Sequence, residues 1–197
     1  MTGYITFMAR ASVREQLLDS AVGTFRRRGV QGASVSELAA DAGVPKGSVY
    51  NHFDDKEALA CEVLQRYVAG QGRSALRGAG SAVERLRAHV AHQIARTEAS
   101  GVTSGCLLGN FASELSGDAY PRLREEVSGA FGEWTDAIAD AIAEGQASGE
   151  IRSARTPHDL AAWLIASLEG ATAYAKATND LSALNTFVSV AFDTVIA

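Results

Sequence analysis

Cysteine is scarce in this chain of 197 residues, with Cys61 and Cys106 the only two. Two thiols so far apart make no disulfide framework, and reduced thiols fit a cytoplasmic protein. Proline is rarer still relative to its usual share, three residues against 19 glycines, and strand-type alternation of Val, Ile and Thr is hard to find. With helix formers such as Ala throughout, the composition points to an all-α protein. No apolar run approaches the ~18 residues of a membrane span, so no membrane partner is expected. Met1 to Phe7 lacks the basic-then-apolar layout of a signal peptide, and residues 1–9 read as a disordered tail. An excess of positive charge is also missing, because the net charge is −5.

What is present is an ample apolar content of 47% and a charge that divides unevenly. Residues 1–60 carry seven basic and seven acidic side chains, whereas residues 61–197 carry eleven basic and sixteen acidic ones. A nucleic-acid contact needs a local basic face, not a basic total. An acidic body would favour contact through the first part of the chain alone.

That first part is the most informative. A helix from about Ser12 to Arg28 has a stripe of Leu17, Leu18, Ala21, Val22 and Phe25, and Gly29 is placed to end it as a left-handed cap. Ser34 and Glu37 have the spacing of a capping box for a second helix. Gly43 makes a tight turn, and Pro45 suits the first position of a third helix ending near His52. The third helix carries small, polar and aromatic residues instead of an apolar stripe. A helix-turn-helix of this kind pushes its second helix into the DNA major groove.

Six further helices follow by pattern. Asp54 or Asp55 caps the fourth, running toward Arg77; the fifth spans about Ala82 to Thr97. After the glycine-bearing loop 100–105, a sixth starts near Cys106, a seventh covers about Pro121 to Gln146, Pro157 opens the eighth, and the ninth spans about Leu181 to Val195. The expectation is about nine helices, all-α: a three-helix head with the helix-turn-helix at 10–56, and a six-helix body at 57–197.

The three-helix head, the segment Pro-Lys-Gly-Ser-Val-Tyr-Asn-His-Phe at 45–53 and Asp-Lys-Glu-Ala-Leu at 55–59 resemble the tetracycline-repressor (TetR) family of bacterial regulators. Ser-Gly-Cys-Leu-Leu-Gly-Asn-Phe-Ala-Ser-Glu-Leu at 104–115, with Glu169-Gly170-Ala171 and Lys176, is similar to the branch responding to N-ethylmaleimide and acrylate. That resemblance implies a cysteine at the start of helix 6 and a lysine late in helix 8 as sensing residues, which Cys106 and Lys176 match.

The expected DNA contacts are Ser36, Lys46, Gly47, Ser48, Tyr50, Asn51, His52 and Lys56. Gly47 lets backbone approach the groove, Ser48 and Asn51 can bond base edges or phosphates, and the family resemblance gives Tyr50 and His52 to the backbone. Lys56 and Ser36 should reach phosphate. Arg26, Arg27 and Arg28 read either as a solvated helix end or as auxiliary phosphate contacts. His52 lacks the neighbours of a catalytic histidine.

For an effector, the candidate wall residues are Tyr67, His92, Arg96, Asn110, Phe111, Trp134, Trp163 and Tyr174, beside Cys106 and Lys176. Core or surface placement competes with pocket lining at each. His89, His92 and Arg96 share one helix face that can hold an anion or simply be wet. A helix N-terminus and a nearby ammonium would favour a Cys106 thiolate, the reactive form; an inert packed cysteine is the alternative. Cys61 reads as packing. No metal set converges, and no cofactor or catalytic residue is expected. Leu164, Leu168, Ala171, Leu184, Phe187, Val188, Ala191 and Phe192 supply excess apolar faces for a two-fold, four-helix homodimer interface, or for an ordinary buried helix pair.

The function expected is a homodimeric repressor on a palindromic double-stranded DNA operator, its recognition helices roughly 34–36 Å apart, released by a small-molecule effector or by modification of Cys106. A conventional ligand-responsive repressor with inert Cys106, an activator, a binding protein without an operator and a thiol-dependent enzyme are the competing readings.

Overall fold

The computed structural model describes residues 12–196, so the expected tail at 1–9 lies outside them. Among the described residues there are nine α-helices and no strand. Helix α1 (Val13–Gly32) is capped by Ser12, whose hydroxyl accepts from the Glu15 amide. Gly29 breaks it as expected, but not as a simple left-handed cap: its φ of 69° pairs with a ψ of 177°, and one more turn follows the kink. A Cβ at Gly29 would collide with the Glu114 carboxyl, so the position needs glycine both for its backbone and for its missing side chain.

Helix α2 (Val35–Asp41) carries the Ser34–Glu37 capping box, with reciprocal bonds of 3.0 and 3.1 Å. Gly43, at φ 68°, turns the chain into α3 (Lys46–Tyr50). Pro45 is the N-cap of α3 and not its first residue; its fixed φ suits either position, and a ψ of 142° makes it the last extended residue. Val49 is buried and docks α3 onto α1 and α2.

Helix α4 (Lys56–Ala69) is capped by Asp55, which accepts from the Ala58 amide at 2.8 Å. It stops at Ala69, not near Arg77, because Gly70 and Gly72 flank a single glutamine and Gly72 takes φ 67°. Residues 73–77 form a tighter 3₁₀ turn instead. Helices α5 (Ala82–Ala99), α6 (Leu107–Glu114), α7 (Pro121–Ser148) and α8 (Pro157–Thr178) follow the expected order. Helix α9 (Ser182–Val190) widens into a π-turn over Ala191–Val195, where the sequence pattern predicts plain helix.

One contiguous apolar core runs from Leu17 and Phe25 in α1 through Leu59 and Leu64 in α4 to Trp134, Ile142 and Leu164 in α7 and α8. Phe25 and Phe111 meet edge to face across α1 and α6 at 5.5 Å between centroids. Two polar brackets reinforce that seam. Glu57 accepts from the Leu123 amide (3.0 Å) and from Arg122, pinning the start of α4 to the start of α7. Glu114 accepts from the Gln31 amide (2.9 Å), while Gln31 Nε2 donates to the Glu114 carbonyl (2.6 Å), tying the end of α6 to the end of α1.

Phe111 is fully buried at this seam. Phe111→Ala should therefore lower stability by about 3–5 kcal/mol, read as a fall in the urea unfolding midpoint. A loss below about 1 kcal/mol would show that the α1–α6 contact is not a packed core.

Candidate nucleic-acid interface and thiol cavity

Helix α3 shows its polar residues to solvent. Lys46, Gly47, Asn51 and His52 are exposed, Ser48 is half-buried, and Tyr50 keeps 54% of its surface open. A Cβ on Gly47 would meet nothing within 4 Å, so nothing within the chain blocks approach there. Ser36 is also exposed, on α2. Lys56 is placed differently: its ammonium donates to the carbonyls of Ala33 (3.0 Å) and Gln31 (3.4 Å) and lies 5.6 Å from the Tyr120 ring centre. In this conformation Lys56 braces the head instead of offering a free cation to phosphate. The three arginines ending α1 also have partners. Arg27 pairs with Asp41 at 2.8 Å and Arg28 with Glu37 at 3.7 Å, both in the open. Arg26 turns inward, and its guanidinium donates to the Gly105 carbonyl, from Nε at 3.1 Å.

That inward turn leads to the second site. Loop 100–105 delivers Cys106 to the N-cap of α6, against α8. A cavity of about 210 Å³ opens there, lined by Gly105, Cys106, Gly109, Asn110, Ser113, Glu169, Thr172, Ala173 and Lys176. The Tyr67 hydroxyl donates to Cys106 Sγ at 3.6 Å. The guanidinium carbons of Arg96 and Arg26 lie 4.3 and 5.8 Å from the centre of the Tyr67 ring. Asn110 is a junction: its Nδ2 donates to the carbonyls of Ser104 (2.9 Å) and Arg26 (3.3 Å), and its Oδ1 accepts from Lys176 Nζ (2.9 Å).

The expected thiolate is not what this arrangement favours. Burial, and then the Glu169 carboxyl beside it, push the Cys106 thiol up to about 12, outweighing the help of the Gly109 amide and the Tyr67 hydroxyl. The Lys176 ammonium donates its hydrogen bond to Asn110 Oδ1 and not to the sulfur. Burial likewise raises the Glu169 carboxyl above the usual range, and pushes the Tyr67 phenol up. Cys61, on α4, is pushed to about 11, first by burial and then by Glu126 and Glu57.

Of the expected wall residues, the structure brings Tyr67, Arg96, Asn110, Cys106 and Lys176 to one corner. It leaves the others elsewhere. Phe111 and Trp134 are buried in the core. His92 is exposed, with Nε2 3.3 Å from the Gly70 carbonyl. Trp163 lines a separate groove of about 340 Å³ with Arg155, Asp159 and Leu160. Tyr174 is 62% exposed on the outside of α8. The shared face of His89, His92 and Arg96 splits three ways, since His89 points inward and accepts from Trp134 Nε1 at 2.8 Å. The sequence reading missed Glu169 as a site residue, Arg26 as the link to the head, and Gln71, whose fully buried carboxamide has neither its nitrogen nor its oxygen paired. Glu169 was signalled by a carboxyl amid the apolar Ile165 and Leu168 of α8, seven residues before Lys176 and so on the same side.

The expected dimer residues are largely used within the chain. Leu164, Leu168, Leu184, Phe187, Ala191 and Phe192 are buried by the packing of α8, α9 and their neighbours, and only Ala171 and Val188 retain partial exposure. A helix pair buries its facing side first, which leaves a partner the outer faces. No helix among the described residues is long and apolar enough to cross a membrane.

Comparison with known proteins gives a consistent picture. Residues 17–63 match the family described as bacterial regulatory proteins, tetR family, and residues 82–191 match the family described as tetracyclin repressor-like, C-terminal domain. The HTH-type transcriptional repressor DhaR of Mycobacterium sp. (strain GP1) is 37% identical over 96% of this chain and 95% of its own. The crystal structure of the reduced form of Escherichia coli NemR superposes with a TM-score of 0.83 at 26% identity, covering 94% of this chain and 97% of that one. A TetR transcriptional regulator from Chloroflexus aurantiacus superposes with a TM-score of 0.80 at 30% identity, covering 92% of each chain.

His89 generates a pH prediction. Burial lowers its pKa from 6.5 to about 4, so the folded chain refuses a proton that the unfolded chain accepts below about 6.5. Stability is then complete above 6.5 and falls as the pH drops toward 4, by up to about 3 kcal/mol. The urea midpoint, followed by tryptophan fluorescence, should drop between pH 6.5 and 5. His89→Gln, which keeps an acceptor for Trp134, should flatten that segment; an unchanged slope would assign it to other groups.

Proposed function

Because this chain belongs to the TetR family of DNA-binding transcriptional regulators, we propose that it acts as a homodimeric repressor of a palindromic operator and releases it when Cys106 is modified by an electrophile. The observation that carries the DNA half is α3, a helix with one buried anchor, Val49, and an otherwise open row of Lys46, Gly47, Ser48, Tyr50, Asn51 and His52. A tyrosine more than half exposed on a five-residue helix has no packing role that explains it. Ser36 adds a phosphate contact from α2. Lys56 would join only by leaving its carbonyl partners.

Dimerisation is supported by where the exposed apolar groups lie. Besides Tyr50, the large exposed hydrophobic side chains among the described residues are Tyr174 on α8 and Val190 on α9. With the half-exposed Ala171 and Val188 they are apolar groups that α8 and α9 leave outside the core closed by Leu164, Leu168, Leu184, Phe187, Ala191 and Phe192, and a second copy would sit on the outer side of this helix pair.

The release half rests on wiring. An adduct on Cys106 would displace the Tyr67 hydroxyl in the last turn of α4 and crowd Asn110, which holds the Arg26 carbonyl of α1. Both helices lead to the head. The modified state then favours a head position whose partner helix misses the next major groove, and the operator affinity falls by the difference. A second reading, a non-covalent neutral effector, is favoured by the unpaired Gln71 carboxamide buried at the break after α4.

A gel shift on the chain's own upstream intergenic DNA, with and without N-ethylmaleimide, tests this. The unmodified protein should shift the DNA, the reagent should release it, and Cys106→Ser should stay bound. Tyr50→Ala should weaken binding by at least about tenfold. Binding indifferent to the reagent would overturn the thiol reading and leave the non-covalent one. Binding indifferent to Tyr50→Ala would overturn the placement of α3 in the groove.

A further inference from the structure

Within the Cys106 cavity one group has no structural explanation. Glu169 presses against α6 so closely that any Cβ at Gly109 would collide with its carboxyl. Lys176 faces the same cavity from the same helix, yet its ammonium goes to Asn110 and leaves Glu169 without an ion pair. Glu169 shares the cavity with Cys106, and the Gly109 Cβ position that its carboxyl fills also lies 3.9 Å from the Cys106 Cβ. A buried carboxyl without a cation is costly, and a hydrophobic side chain would pack better if packing were the purpose.

The sulfur accepts from the Tyr67 hydroxyl at 3.6 Å. The Gly109 amide favours its anion, and the Glu169 carboxyl favours its proton. The charged and titratable groups around this corner are Glu169 and Lys176 on α8, Tyr67 on α4, Arg96 on α5 and Arg26 on α1. A hydroxyl donor on the sulfur, a carboxyl in the same cavity and an ammonium across it make up the set that conjugate addition uses.

We propose that Glu169 is the base that takes the Cys106 proton as the sulfur adds to a small α,β-unsaturated carbonyl compound held in this cavity. The proposal rests on the electrophile reading above and adds a second residue to it, the base. In the step, the S–H bond breaks toward a Glu169 oxygen while Sγ forms a bond to the β-carbon. The π electron pair moves onto the carbonyl oxygen as an enolate, within reach of the cavity's Lys176–Asn110 pair. The α-carbon then takes the proton back from Glu169. Nothing is oxidised, nothing leaves, and the carboxylate is regenerated. The volume of about 210 Å³ admits an acrylic acid derivative and excludes bulky or polycyclic reagents.

The test uses the full chain and acrylamide, with adduct formation at each cysteine followed by peptide mass spectrometry and Cys61 as the internal reference. Glu169→Gln keeps the shape and removes the base. It should slow addition at Cys106 by about a hundredfold at neutral pH and leave Cys61 unchanged. The wild-type rate should level off once the carboxyl is ionised, at a pH above the ordinary carboxylate range, whereas the variant's rate should keep rising tenfold per pH unit. Equal or faster addition in Glu169→Gln would overturn the proposal, since it would mean that the carboxylate only repels a thiolate. Should the variant fail to fold by circular dichroism, the wild-type profile alone decides: levelling supports the base, and a continuous tenfold rise overturns it. If wild-type Cys106 reacts no faster than Cys61, the electrophile reading fails and this proposal falls with it.

Discussion

Helix α6 is bonded to α1 at both of its ends, and everything else about the coupling between body and head depends on this. At its start, the Gly105 carbonyl and the Asn110 amide hold the side chain and the carbonyl of Arg26. At its end, the Glu114 carboxylate sits on the Gln31 amide beside the kink at Gly29. Eight residues of helix rise about 12 Å, and Phe111 fills the span between with its ring against Phe25. A helix fixed twice cannot tilt without carrying α1 along. Under the proposed release, a rearrangement at Cys106 that tilted α6 would carry α1 with it, without any long pathway of side chains.

The chemistry of the cavity is arranged for restraint. Burial and a carboxyl neighbour keep the thiol protonated, so a mild oxidant or a stray metal meets a poor nucleophile. Under the proposed addition, reaction becomes easy only when a reagent fits the cavity and the proton has somewhere to go. Selectivity in such a site comes from geometry at the moment of reaction, not from a standing thiolate.

The parts legible in the sequence were those specified by neighbours in the chain. The Ser34–Glu37 box, the Gly43 turn and the polar face of α3 are encoded within about twenty residues, and helix periodicity located the other six. Where local signals compete, the reading slipped. Ala75 and Leu76 allow the helix to be drawn on toward residue 77, but Gly70 and Gly72 straddle one residue and win. The thiol corner was half legible: Cys106, Tyr67, Arg96, Asn110 and Lys176 were named, but Glu169 meets Cys106 only because Gly109 lacks a side chain, and spacing along one helix does not show that. The apolar residues of α8 and α9 announced burial without saying against what, and most of them face the chain's own interior.

Arg27 and Arg28 stand on the head with Asp41 and Glu37 already beside them. A cation that arrives at DNA with its own carboxylate has less counterion to displace from the phosphates than a bare one does. The head as a whole has equal numbers of acidic and basic residues over 1–60, and the body adds a negative field behind it. In the proposed operator complex, non-specific adhesion to any duplex would thereby stay low, and the hold on a particular sequence would come from the fit of α3 to base edges and groove shape. The exposed ion pairs at the end of α1 would then act as a filter on the search, trading general stickiness for discrimination.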